Sequence, residues 1–288
     1  MTPLDPGAFA RLDRAKFFAA IRPLFGSLSV AQVVGIERLL DAFLAYALLL
    51  DRRHLAYILA TSFHETGKRM QPVREGFALS DAAARRAVAS LYAKGRISRN
   101  YALPNARGLS FYGRGDVQLT HEDNYLRMGR ILGIDLAGNP DLALDPAVSG
   151  RILVEGVTRG VSIKGDFTGK ALEDYIAGDR CDYVGARRTV NGTDKAATIA
   201  GYAGRFEAAL VAGGMPLLGA RMPGALGMTA PADAPVSAGD TKPPVRDNPP
   251  ATKPAPTGGL SSAPTPAAAP GFWSRFLSTI RTNMTKGA

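Results

Sequence analysis

Two acidic residues stand close together in unlike settings. Glu65 lies in Phe63-His64-Glu65-Thr66-Gly67, and Glu75 follows ten residues on, in Pro72-Val73-Arg74-Glu75. A second stretch, Phe111-Tyr112-Gly113-Arg114-Gly115-Asp116-Val117-Gln118-Leu119-Thr120, runs on to Asn124-Tyr125 and offers aromatic, amide and hydroxyl side chains bracketed by glycine. Two carboxyls, one holding its proton and one charged, are what hydrolysis of a glycosidic bond requires.

The settings predict which carboxyl is which. Glu65 falls seven residues after Ile58, about 20° round a helix from it, on or beside the apolar face. It also lies in the last turn before Gly67, near the negative end of the helix dipole. Both effects disfavour the charged form, so Glu65 is expected to keep its proton and act as general acid. Glu75 follows Pro72 and Arg74 and precedes Gly76, a turn with a cation alongside. It is expected to stay ionised and to draw a proton from water. In the second stretch, Gly113 and Gly115 allow a tight turn that brings Tyr112 and Gln118 near a ligand. Tyr112 and Tyr125 offer faces to sugar rings, while Gln118 and Asn124 can bond hydroxyl or N-acetyl groups.

The elements that must position these groups read as helices. Apolar residues recur at helical spacing from Ala31 to Leu50. Asp51 looks like the cap of a second helix with a Leu55, Ile58, Leu59, Phe63 stripe, ended by Gly67. Asp81 to Tyr92 predicts a short Ala-rich helix, and Tyr101 to Gly115 a loop with at most a small hairpin. Thr120 to Asp123 resembles a capping box opening a helix that Gly133 closes. Asp145-Pro146 opens another, and Tyr183–Val190 and Asp194–Val211 predict two more, parted by Asn191-Gly192. Hardly any segment alternates with period two, so the expected fold is mainly α, without a large sheet.

Thirteen of the 20 prolines fall between Pro216 and Pro270. The chain therefore divides into a folded domain over 1–212, a Pro/Ala-rich linker over 213–270 expected to be disordered, and a C-terminal segment over 271–288. In that segment Phe272, Trp273, Phe276, Leu277 and Ile280 share one helical face, beside Arg275, Arg281 and Lys286. This is the pattern of a basic amphipathic helix lying on an anionic membrane. The formal net charge of +10 favours an anionic partner. Scattered Lys and Arg with no reader motif give no case for specific nucleic-acid binding. The single cysteine, Cys181, is expected to be a small buried residue. The three histidines, His54, His64 and His121, lack metal-ligand spacing, so neither metal nor cofactor is expected. The opening Met1-Thr-Pro-Leu-Asp-Pro lacks a secretory pattern. The expectation is cytoplasmic synthesis, with action on the cell wall or periplasm after release by a separate membrane-lesion protein.

From Leu55 to about Leu210 the pattern resembles the family 19 glycoside hydrolases, the chitinase-like enzymes. His64-Glu65-Thr66 is similar to that family's His-Glu-Thr. Tyr112 to Thr120 with Asn124-Tyr125 is similar to its long Tyr-Gly-Arg-Gly-x-x-Gln-Leu-Ser/Thr signature, and Arg187 to Gly192 to its late Asn-Gly motif. The resemblance implies a lysozyme-like helical fold and an inverting mechanism. It implies Glu65 as acid and Glu75 as base, with Thr120 holding the attacking water. His64, Thr66, Tyr112, Gln118, Asn124 and Asn191 would line the substrate, with Arg187 or Arg188 near the carboxylates. Asp116 stands where the family commonly has Pro, and Asp123 where it commonly has an aromatic residue. Plant-type members place the second Glu about twice as far along. The basic surface, the absent signal and the basic tail favour peptidoglycan glycan strands as substrate, in the manner of an endolysin. Chitin oligomers are the alternative, since both polymers carry β-1,4-linked N-acetylglucosamine. A non-catalytic wall- or membrane-binding module is the alternative of another class.

Overall fold

The computed structural model describes Phe9, residues 11–158 and residues 167–219. The amphipathic segment 271–288 and most of the proposed linker lie outside the described residues. The described body continues past 212: Met215 is buried, and Leu218–Gly219 pairs with Leu50–Asp51. The described body thus runs on to Gly219, seven residues past the boundary expected at 212.

Among the described residues seven α-helices carry the fold. They are α1 (Arg14–Phe25), α2 (Val30–Tyr46), α3 (Arg52–Glu65), α4 (Asp81–Ala93), α5 (Glu122–Leu132), α6 (Pro146–Val157) and α7 (Ala196–Ala212). The strands are two-residue pieces: β1 (Leu50–Asp51), β2 (Val73–Arg74), β3 (Arg114–Gly115), β4 (Ile176–Ala177), β5 (Arg180–Cys181) and β6 (Leu218–Gly219). They form three antiparallel pairs, β1 with β6, β2 with β3 and β4 with β5. The mainly α expectation holds for the described residues.

Most helix starts follow from their caps. Ser29 and Gln32 form a reciprocal capping box on α2. Asp51 accepts from the Arg53 backbone at 2.8 Å to open α3. Asp145 caps α6, with Pro146 at its first position. Gly133 closes α5 in the left-handed conformation. Three expectations are corrected. Thr120 does not cap α5: its hydroxyl donates to the Gln118 carbonyl at 2.8 Å, and His121 precedes the helix without a side-chain cap. Tyr183–Val190 supplies only a 3-10 turn over Gly185–Thr189. Cys181 is exposed on β5, not buried.

Helix α3 is the axis of the core. Every residue in it except Arg52 and His64 is buried. It packs chiefly against α7, with further contacts to α2 and α6. The sequence predicted one apolar stripe, but α3 is enclosed all round, because its polar residues bond within the protein. His54 Nε2 meets the Ile176 carbonyl at 2.9 Å, and Thr61 donates to the Tyr57 carbonyl at 2.9 Å. Near its end, the Phe63 ring sits 5.0 Å from Phe25, 4.8 Å from Tyr202 and 5.8 Å from Phe206. These edge-on contacts fix the last turn, which carries Glu65.

The β2–β3 pair joins the two motif-bearing stretches, with Val73 opposite Gly115 and Arg74 opposite Arg114. Gly115 has φ +87°, and a Cβ there would lie 2.8 Å from the Ala143 carbonyl oxygen and 2.9 Å from Ser149 Oγ. Gly115→Ala is expected to lower stability by about 1–3 kcal/mol, measured as a fall in the chemical-denaturation midpoint, because backbone conformation and space both forbid the methyl.

Candidate active site

Asp116 ties the site's elements together. Its buried carboxylate accepts from Arg38 Nη2 at 2.9 Å, Ser62 Oγ at 2.7 Å and Ser149 Oγ at 2.6 Å. Three helices are thereby held to the residue that follows β3. Ser62 lies one turn before Glu65, so this buried group helps set where that carboxylate points. Three donors, one of them a guanidinium, answer this buried group.

Glu65 ends α3. The next residues close the helix by backbone bonds, Gly67 N–H to the His64 carbonyl at 3.2 Å and Lys68 N–H to the Phe63 carbonyl at 2.7 Å. Glu65 is 3% exposed, and its Oε1 accepts from Arg187 Nη1 at 2.8 Å. Arg187 is fully buried, on the 3-10 turn Gly185–Thr189, and its Nε donates to the Asp194 carbonyl at 3.2 Å. The sequence reading weighed only burial and the helix dipole for Glu65; the buried guanidinium that meets it comes from 122 residues away.

Glu75 opens the 3-10 turn Glu75–Phe77, in which Gly76 and Phe77 both have positive φ. Phe77 packs on the end of α3: a Cβ on Gly67 would meet its ring at 2.9 Å. The turn carrying Glu75 thus rests on the helix end carrying Glu65. Glu75 is wholly buried. Its Oε2 accepts from the Gly113 N–H at 2.9 Å, and its Oε1 from the Tyr101 hydroxyl in a short bond. Burial pushes its carboxyl up to about 7, against the opposing pull of these two donors and of Arg114. Arg74, expected to keep Glu75 ionised, turns instead to Asp141 at 2.8 Å. The setting of Glu75 is therefore the reverse of the sequence reading, which expected a carboxylate held ionised by Arg74.

The remaining candidates divide. Arg187, and not Arg188, reaches a carboxylate; Arg188 is exposed, and its carbonyl accepts from Thr168 at 2.7 Å. His64 adjoins Glu65 and is half-buried; burial lowers its pKa, so the neutral ring is favoured. Asn124 is half-buried, bonded to the Thr120 carbonyl at 2.7 Å and to Arg127 at 2.7 Å. Asn191 accepts from the Gly192 N–H at 2.8 Å.

Four candidates are engaged by the protein itself. Thr66 is buried, donating to the Ser62 carbonyl and accepting from Met70 N–H, so it seals the end of α3. Gln118 holds the left-handed φ of +56° and donates to the Val73 and Gly115 carbonyls at 2.8 and 3.1 Å. It thus pins β2 to β3. Tyr112 is fully buried in a small cluster with Ala84, Val88 and Ala102, its ring 3.7 Å from the Arg114 guanidinium. Tyr125 is also fully buried. The sugar-stacking role expected of the two tyrosines is corrected: their rings serve the packing that holds Arg114 and β3. Tyr101 was missed by the sequence reading. It stands in the 101–115 loop with no periodic or motif signal, and only the folded chain brings its hydroxyl to Glu75.

Residues 48–154 match the family model described as chitinase class I. Endochitinase 4 of Solanum tuberosum is 49% identical over 47 residues, which are 16% of this chain and 16% of that protein. Endochitinase A2 of Pisum sativum is 49% identical over 47 residues, 16% of this chain and 14% of its own length. The match thus spans only about a sixth of these relatives. Among solved structures, chitinase C from Streptomyces griseus HUT6037 is 19% identical, covering 74% of this chain and 80% of that one at a TM-score of 0.42.

Proposed function

We propose that this chain, a family 19 glycoside hydrolase sequence over residues 48–154, cleaves β-1,4 links in a glycan built on N-acetylglucosamine. The observation that carries the reading is the pair of buried carboxyls on adjoining elements. One is paired with Arg187, and the other titrates near neutrality. Chitin-type strands are supported by the names of the relatives. Peptidoglycan strands, of the same linkage, are supported by the net positive charge. Digestion of both polymers by the full chain, with mass spectrometry of the new reducing ends, tests the reading. Release of no new ends from either polymer overturns it. The basic segment 271–288 is read as an accessory contact with an anionic membrane surface.

In this reading Glu75 is the general base and Glu65 the general acid. A carboxyl that titrates near 7 makes a far stronger base than a surface carboxylate and still ionises at neutral pH. Arg187 stabilises the carboxylate that Glu65 becomes on giving its proton to the leaving oxygen. Water attacks the anomeric carbon from the opposite face, which inverts it. The raised Glu75 also supports an exchange of roles, with Glu75 as acid. The pH dependence separates the two assignments. As base, Glu75 requires kcat/KM to rise through about pH 7; as acid, it requires a fall.

Tyr101→Phe follows from the same geometry. Its hydroxyl lowers the Glu75 pKa, so its loss raises that value, and the ascending limb of the pH–rate profile is expected to shift upward by about one pH unit. A profile that keeps its midpoint while losing only amplitude would remove Tyr101 from this role.

A further inference from the structure

The stretch from Ala82 to Gly113 carries Arg85, Arg86, Lys94, Arg96, Arg99 and Arg107 and no Asp or Glu. It comprises most of α4 and the loop after it. Ala84, Val88, Ala102 and Tyr112 pack together within it, with Ile97 and Tyr101 against them. The segment therefore folds as one small lobe that ends against Glu75 through Tyr101. Arg86, Lys94, Arg96, Arg99 and Arg107 are exposed. Among the described residues no carboxylate pairs with Arg86, Lys94, Arg96 or Arg99, whereas Arg85 is answered by Asp81. Arg99 lies nearest the chemistry. Its Nη2 is 3.2 Å from His121 Nδ1, and the His121 ring is 5.3 Å from that of Tyr101, which holds Glu75. Burial and the Arg99 charge lower the His121 pKa, so the ring is favoured neutral and can accept from Arg99.

We propose that this lobe is a charge-selective rim of the active site, and that Arg96 and Arg99 receive carboxylates carried on the glycan strand. A strand of plain N-acetylglucosamine is neutral and gives these cations nothing to bind. A strand in which alternate sugars bear a lactyl group, as in peptidoglycan, presents anions at every second ring: the free lactyl carboxylate where the stem peptide is absent, or the peptide's own carboxylates where it is attached. Guanidinium groups match carboxylates by two parallel hydrogen bonds, and unanswered cations on one segment sum to a field that reaches about 8–10 Å at ordinary salt. The proposal rests on the glycan-hydrolase reading and names the substrate class of that site as an acidic strand.

The test uses the full chain and two substrates: peptide-free peptidoglycan glycan strands with free lactyl carboxylates, and the same strands with those groups converted to amides. Wild-type kcat/KM is expected to favour the carboxylated strands, by a margin that shrinks as salt rises. In Arg96→Gln/Arg99→Gln the ratio of the two values is expected to fall by about three- to tenfold, through KM, as suits two exposed charge contacts. A wild-type ratio near one, or a ratio the double variant leaves unchanged, overturns the rim. Co-sedimentation with the same two strands keeps the question separate from catalysis. If neither strand is cut, the hydrolase reading fails, while selective retention of the carboxylated strands still supports the rim. Equal retention of duplex DNA and carboxylated strands would show a general polyanion surface and overturn the selectivity.

Discussion

Glu65→Gln is expected to lower glycan cleavage by a factor of about 10² or more, the loss that follows from removing a general acid. Glutamine has the volume of glutamate and keeps an oxygen for Arg187 Nη1, so the end of α3 retains its closing bonds. The buried guanidinium does lose its counter-charge, and breaking a buried pair costs up to about 3–5 kcal/mol. The assay therefore belongs beside a thermal melt and a circular dichroism spectrum. A second substrate separates chemistry from stability. An aryl glycoside with a good leaving group needs no proton from the enzyme, so the variant should recover most of the wild-type rate on it. Full activity on the natural glycan in a folded variant would remove Glu65 from the reaction.

Glu75→Gln is expected to lose activity and gain stability in the same protein. Burial raises the Glu75 carboxyl from its ordinary value of 4.5 to about 7. For a group raised on folding, the favourable contribution is complete below the unfolded pKa and is lost as pH climbs through the folded one. Wild-type stability should thus decline from about pH 4.5 to about pH 7 on account of this residue. Beyond that range a charge stays buried at a cost on the order of a few kcal/mol. Glutamine has no charge to desolvate. Its Oε1 can still accept from Gly113 or Tyr101, so above pH 7 the variant should melt several degrees higher than wild type. The two proteins should converge near pH 4.5. A variant that is less stable at pH 8 would show that the bonds to Tyr101 and Gly113 outweigh the burial of charge. Cleavage should fall by about 10² or more, and added azide should restore part of it if Glu75 is the base.

Much of the helical framework was legible in the residues. Asp51 and Asp145 cap helices, Gly133 closes one, and the Ala31–Leu50 and Asp194–Val211 periodicities mark α2 and α7. Each signal acts within one or two turns, so neighbours in the chain suffice to express it. Misreadings arose where tertiary contacts overrode local preference. Thr120 had the spacing of a cap but bonds the Gln118 carbonyl, and Gln118 takes its left-handed backbone in the turn that brings Leu119 back to Arg114. Tyr112 had the amphipathic character of a sugar platform but is enclosed under Arg114. Thr66, beside the acid, is consumed in closing α3.

The sequence by itself determined that two carboxyls, ten residues apart, would stand at the end of a helix and on the turn after it. It also marked a glycine-bracketed turn in the second motif, because caps, glycines and periodicity are short-range properties. Only the tertiary structure decided their partners. Arg187 comes to Glu65 across 122 residues, and Tyr101 to Glu75 across 26. Protonation depends on the distance in space to a guanidinium and on the exclusion of water, and neither can be read from a residue's neighbours in the chain.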